Sequence, residues 1–465
     1  MSRINTNIQS FQAQRAFNKN NSDLALRLQR LSTGLKINNG KDAPAGLIAS
    51  ETLRSEIAGI SQAIDNTNRA NNVINTAEGA LSEVSALLLE VQSLTNEAAN
   101  TGALSTAEIE ANQLQLDSIL NSINRIANTT QFGGIKLLDG SLDYATSGAL
   151  STVVDVVRIN SAKLPDNGNI TVSVEVVSVA ETARVVYSGG VLSSGPATIE
   201  ISGSSGIEQI SLASSATLAN IVTAVNELTT ATGVSASLSG GSVVFNSTGF
   251  GSEQFVTVRT ISGSFVNGTD SGVDAQVNIN GATADVKGTV ASIRNSVLDL
   301  SLTLDSGFAT AVGSSSFTIT GGGAKFQIGS QITRPGQISI GIQGIGTSRL
   351  GDNVVGYLES LRNGADNSLV GGNTVQAQKI INTAISQVAQ IRGRLGALQK
   401  NVLETNINSL SVALENVTAS ESAIRDADFA KETAALTRAQ ILVQANTSVL
   451  AQANATPQSV LALLQ

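Results

Sequence analysis

VINTAEGALSEVSALLLEVQSLTNEA, residues 73–98, repeats its apolar positions in alternating steps of four and three. Val73, Ala77, Ala80, Val84, Leu87, Val91, Leu94 and Ala98 therefore share one seam of a helix about 39 Å long at 1.5 Å per residue. Ile74, Leu81 and Leu88 widen the stripe, which predicts packing against more than one neighbour. Thr101-Gly102 ends the run. Ile109, Leu116, Leu120, Ile123 and Ala127 then mark a face of a second helix, with Ser105 or Thr106 as its cap. So short a connection predicts an antiparallel pair.

The same device returns near the other end. Ile381, Ala384, Val388, Ile391, Leu395, Leu398 and Val402 form a three–four seam, continued less strictly by Ile407, Leu410, Leu414 and Val417. On periodicity alone these seams predict an ordinary intramolecular bundle. The extreme ends are thinner. Ile4, Ile8, Phe11 and Phe17 stand among Asn5, Asn7, Asn18, Asn20 and Asn21, before Leu24, Leu28, Leu31 and Leu35 give an amphipathic run. Leu442, Val449, Leu450, Val460, Leu461, Leu463 and Leu464 are the counterpart at the C-terminus. Stripes this sparse offset little of the ordering entropy within one chain, so the tails are expected to bury themselves against another copy.

From about 151 to 345 the period falls to two. Ile170, Val172, Val174 and Val176 alternate with Thr171, Ser173 and Glu175, which predicts a strand with one wet face. Gly-rich turns separate further short runs, among them Ile199-Glu200-Ile201, Val243-Val244-Phe245, Val256-Thr257-Val258 and Phe317-Thr318-Ile319. One helix interrupts them, with Leu218, Ile221, Val222, Val225 and Leu228 on a face, and Val290 to Leu304 reads as either helix or strand. The prolines (Pro44, Pro165, Pro196, Pro335 and Pro457) leave long stretches on both sides free for continuous helices. The fold class is multidomain α+β: long terminal helices paired as a coiled coil or bundle, with a β-rich domain inserted.

Composition removes most chemistry. The 465 residues include no His, Cys or Trp, so the imidazole base, the thiolate nucleophile and the usual zinc ligands are missing. A net charge of −8 without a Lys/Arg-rich run argues against nucleic acid as a partner. No apolar stretch approaches the roughly 20 residues of a membrane span. The first residues, Met1-Ser2-Arg3-Ile4-Asn5, lack an apolar signal core, which leaves the cytoplasm or export without a cleaved signal. Gly341-Ile342-Gln343-Gly344-Ile345-Gly346 echoes a phosphate loop without its full spacing or its Lys-Ser/Thr ending. Asp426 and Asp428, two apart on an expected helical run, would diverge around the axis. No catalytic, metal or cofactor site is predicted.

Leu28-Gln29-Arg30-Leu31-Ser32-Thr33-Gly34-Leu35-Lys36-Ile37-Asn38 and Lys41-Asp42-Ala43-Pro44-Ala45-Gly46 resemble the N-terminal motif of bacterial flagellins, with Thr33 and Lys36 where Ser and Arg are usual and Pro44 a further variation. Gln131-Phe132-Gly133-Gly134-Ile135-Lys136-Leu137-Leu138-Asp139-Gly140 resembles the hairpin after the second long helix, with Gly133 in place of Asn. Phe326-Gln327-Ile328-Gly329 is similar to the strand leading back to the C-terminal helices. Glu421-Ser422-Ala423-Ile424-Arg425-Asp426-Ala427-Asp428-Phe429-Ala430-Lys431-Glu432, then Val449-Leu450-Ala451-Gln452-Ala453-Asn454 and Pro457-Gln458, is the most specific match. Ala216 to Leu238 resembles a small β-rich motif of some flagellins and hook-associated proteins.

The resemblance implies three layers: 1–42 with 425–465 as an inner coiled coil, 43–150 with 324–424 as a bundle with a hairpin, and 151–323 as an outer domain. It implies an extracellular filament subunit, exported unfolded through a narrow channel. Its partners would be further copies of itself, junction and cap proteins and an export chaperone. A hook–filament junction protein has similar termini and is the alternative. An enzymatic insert of the metallopeptidase kind would need an HExxH helix, and the chain has no His. Flagellins detected by the vertebrate Toll-like receptor are alike on the helix 73–98. Leu89-Glu90 stands where those proteins place Gln-Arg, and Gln92 where another Arg is usual, so weak activation is expected.

Overall fold

The computed structural model describes residues 6–165, 168–190 and 195–462, with side chains to Thr456. Its helices are α1 (Ile8–Thr33), α2 (Pro44–Ala98), α3 (Thr106–Thr129), α4 (Leu218–Glu227), the single turns α5 (Thr229–Thr232) and α6 (Ser306–Ala309), α7 (Thr374–Leu398), α8 (Glu404–Arg425) and α9 (Phe429–Ala462). Two compact units emerge: one of Met1–Arg69, Gln327–Gly336 and Asn401–Gln465, the other of Ala70–Phe326 and Gln337–Lys400.

The first unit is built from helix ends. The Asn7 side chain accepts the Ser10 N–H at 3.0 Å and caps α1, which stops at Gly34 with φ +71°. The Asp42 carboxylate accepts the Asn38 and Asn39 N–H groups, and those bonds hold its carboxyl below the usual range. Pro44 opens α2 at the position where its missing N–H costs nothing. The start of α2 lies antiparallel to α8, Arg425 reaching Glu51 at 3.1 Å and Asn406 reaching Thr67 at 3.2 Å. Asp426 and Asp428 do not share a helical run: α8 ends at Arg425 and α9 begins at Phe429. The break exchanges helix bonds for bonds to the α1–α2 turn, Lys36 N to Arg425 O at 2.7 Å and Ala427 N to Gly34 O at 2.9 Å. Asp428 then caps α9, accepting the Lys431 N–H at 3.1 Å.

In the second unit the fully buried line of α2 runs Ile74, Ala77, Leu81, Val84, Leu88 and Val91, while Val73, Ala80 and Leu87 are half-buried beside it. The seam centre therefore lies one residue from the strict heptad at alternate positions. Neighbours on both sides account for that. Gln92 donates to Asn382 of α7, Arg392 of α7 donates to Glu78, and Gln115 of α3 donates to Glu90. A capping box of Ser105 and Glu108 starts α3. Within α7, Val388, Ile391 and Leu395 are buried. A π turn, Gln399–Leu403, then takes up one extra residue. The buried position passes from Val402, 36% exposed, to Leu403, 0% exposed, a shift that a strict 3.6 period does not reveal.

The β-rich part of this unit has two cores. A five-stranded sheet (order 282–283, 276–279, 170–178, 313–322, 144–147) and a four-stranded sheet (285–287, 290–294, 298–304, 154–162) share the first. Val172, Val174 and Val176 point into it, while Thr171, Ser173 and Glu175 face water. The ambiguous stretch is two strands, Val290–Arg294 and Leu298–Leu304, paired antiparallel, since Leu298, Leu300, Leu302 and Leu304 alternate into the same core. The second core joins sheets 268–271/255–262/197–203/207–212 and 184–187/242–247/234–239 with α4, around Ile199, Ile221, Val225 and Phe245.

Candidate assembly surfaces

The pairing of α1 with α9 is antiparallel and tied at three levels. Asn7 Nδ2 donates to Ala453 O and Ser10 Oγ to Asn454 Oδ1, each at 2.7 Å. Midway, Arg27 Nη1 reaches both carboxylate oxygens of Glu432 at 2.9 and 3.2 Å, and Arg30 Nη1 adds a bond at 3.2 Å. At the far end Leu35 bridges Asp426. Burial pushes the Glu432 carboxyl up, but the hydrogen bonds from Arg27 and Arg30 outweigh it and hold the group below its usual range. Charge-assisted bonds at these distances fix the register of two helices that bury little else.

What the pairing buries is small: Ala13 on α1, with Ala439 and Ala453 on α9. Leu24, Leu31, Leu35 and Leu450 are half-buried. Ile8, Phe11, Leu28, Leu442 and Val449 are 42–61% exposed, as are Phe429 and Ile441. The apolar stripes of the tails are thus only partly used inside the chain. Ile4 and Leu464, and the side chain of Leu461, lie outside the described residues. Sequence reasoning picked the apolar positions and missed the Arg27–Arg30–Glu432 cluster. Its signal was available, two arginines three apart on the amphipathic run and one Glu in the C-terminal motif.

The bundle residues divide differently. Ala77, Val84, Val91, Leu94, Val388, Ile391 and Leu395 are buried and Leu398 is half-buried, so this seam is consumed within its unit. On the outer side of α2, Leu89 and Glu90 are exposed. Glu90 is held by Gln115 at 2.9 Å, and Gln92 is turned to Asn382 at 2.8 Å. Among the described residues no cluster of acidic side chains could hold a metal, and no helix is long and apolar enough to cross a membrane.

Comparison with known proteins follows the same division of the chain. Residues 4–143 match the bacterial flagellin N-terminal helical region, 378–464 the C-terminal helical region, and 198–249 the flagellin hook IN motif. Polar flagellin B/D of Vibrio parahaemolyticus is 31% identical, with 99% of each chain covered. The B-type flagellin of Pseudomonas aeruginosa is 32% identical, again over 99% of each. Among solved structures, a hook-associated protein-3 from Legionella pneumophila shows 15% identity and a TM-score of 0.32, covering 80% of this chain and 98% of its own. Terminal helices that leave apolar stripes open, joined to family matches at both ends and relatives alike over their whole length, identify the chain as a member of the bacterial flagellins, a structural subunit of the extracellular flagellar filament.

Proposed function

We propose that the exposed faces of α1 and α9 are the seams through which copies of the chain join into the helical tube. The supporting observation is the row of large apolar side chains left open on the two helices: Ile8, Phe11, Leu28, Leu442 and Val449. Covering the open half of one such side chain is worth about 1 kcal/mol, so five supply on the order of 5 kcal/mol before the cost of association. Within each copy the arginine–glutamate cluster holds the pair in register, and neighbours complete its burial. In this reading 1–42 with 425–465 form the inner layer, 43–150 with 324–424 the bundle around it, and 151–323 the outer domain.

The role is structural, with no catalytic step and no cofactor. The same termini meet junction and cap proteins at the two ends of the filament, and an export chaperone holds them before secretion. Removal of the residues after Phe429 tests the reading. The expected product is a soluble folded monomer that forms no filaments by electron microscopy; normal filaments from it would refute the assignment. A second test concerns the receptor face. With Leu89 and Glu90 exposed and Gln92 engaged with α7, purified monomer is expected to activate the Toll-like receptor weakly, and potent signalling would overturn that.

A further inference from the structure

The second unit holds a pocket of about 190 Å³, far more than one water needs. Its wall includes Arg158, Arg349, Asp143, Ser348, Gly344 and Tyr357. Arg158 comes from the strand Val154–Ala162 and is half-buried; Arg349 comes from the segment after the Gly341–Gly346 loop and is exposed. Among the described residues neither guanidinium has a hydrogen-bonded or ion-paired partner. Burial pushes the Arg158 guanidinium below its usual range, with Asp352 and Tyr357 drawing it back from a distance. A guanidinium stays charged, and among the described residues no bonded carboxylate matches the charge of either arginine.

The seat of Arg349 is built by glycine. A Cβ at Gly140, where φ is +92°, would stand 2.8 Å from Arg349 Nη1, and one at Gly344 would stand 2.9 Å from its Cδ. The backbone is bare where this side chain lies. The one carboxylate in the wall, Asp143, accepts the Tyr144 N–H at 2.8 Å and makes no ion pair with either arginine. Burial raises its carboxyl, and the charges of Arg349 and Arg394 oppose that rise. Arg394 stands behind, bonded to Asn160 and to Gly341 O. Tyr357 donates its hydroxyl to Asn353 at 2.7 Å.

We propose that this pocket binds a small oxyanion of the phosphate or sulfate class, held between the forks of Arg158 and Arg349. Two arginines in the wall of one small space suit an oxyanion, which a planar guanidinium binds through paired N–H groups. Of the Gly341–Gly346 loop, Gly344 contributes by making room for Arg349, not by cradling phosphate with its amide.

Inorganic phosphate is the probe, titrated into the full chain kept monomeric, at constant ionic strength against chloride and followed by ³¹P line broadening. Saturable binding is expected, weakened about tenfold or more in Arg158→Gln and in Arg349→Gln and unchanged in Arg259→Gln. Arg349 is exposed, so its variant carries the test should Arg158→Gln fail to fold. A wild-type signal no different from chloride, or saturable binding that persists in the double variant, overturns the proposal. Variants that alter polymerisation while the wild-type monomer ignores phosphate overturn it as well, and point instead to a carboxylate of a second copy.

Discussion

The helix Ile8–Thr33 and the strand Ile170–Ser178 use their apolar residues in opposite ways. In 26 residues the helix fully buries one, Ala13; in nine the strand fully buries three, Val172, Val174 and Val176. Phe11 and Leu28 are no less apolar than those valines. What differs is the supply of surface to pack against. The strand has neighbours on both edges and a second sheet across its core, all from the same chain. The helix has one partner, α9, equally thin, and its outer face is left open. Stability of the monomer and capacity to polymerise should therefore separate along this line, and each substitution below asks whether they do.

The largest loss of monomer stability belongs to the inserted sheets. Leu300 is fully buried between strands of the first core, so Leu300→Ala should cost about 3–4 kcal/mol in urea unfolding of that core. Filaments should still grow below the lowered transition, because no apolar residue of the tails has changed. Loss of polymerisation by folded L300A would erase the separation.

Glu432→Gln comes next, at about 2 kcal/mol for the α1–α9 pair, since two guanidiniums lose their shared carboxylate. The pH dependence has a fixed sign. A carboxyl held below its usual range in the folded pair contributes fully above the unfolded value of about 4.3, and that contribution fades as pH falls through the lower folded value. Hydrogen-exchange protection factors over α1 and α9, corrected for the intrinsic rate at each pH, should therefore fall on acidification in the wild type. In E432Q they should be low already at neutral pH and change less. Equal acid sensitivity in both would remove the cluster from its place as the register pin.

Much of this was legible in the sequence because local pattern and tertiary outcome agree. The seam through Ala77, Val84 and Val91, the cap at Ser105 and the alternation from Ile170 each follow from a period or a side-chain chemistry confined to a few residues. The misses arose where the backbone departs from a fixed period. The π turn at Gln399–Leu403 transfers burial from Val402 to Leu403, and the break at Asp426-Ala427-Asp428 replaces helix bonds by bonds to Gly34 and Lys36, remote in sequence. Neither leaves a mark on hydropathy. The pocket of Arg158 and Arg349 was invisible for a related reason, its two cations lying 191 positions apart in the chain.

A smaller effect is expected at Gly34, where α1 ends with φ +71° and nothing crowds the position of a Cβ. Gly34→Ala should cost about 1 kcal/mol through backbone strain alone. Gly34→Asn, which tolerates the left-handed region better, should recover part of it. If both variants melt alike, the turn is not held by its backbone geometry.

The smallest expected change in the monomer is the one that bears most on assembly. Phe11 is 61% exposed on α1, so Phe11→Ala removes little burial and should shift monomer unfolding by less than about 0.5 kcal/mol. In a filament the same ring would be covered, and losing a half-buried aromatic there costs about 1–2 kcal/mol per added copy. A free energy of that size moves a critical concentration about five- to thirtyfold, because every copy in the tube repeats the contact. Sedimentation of F11A against wild type, at equal temperature and salt, measures that ratio directly. A monomer that unfolds early while polymerising normally would place Phe11 in an internal contact and reverse the assignment of α1's outer face.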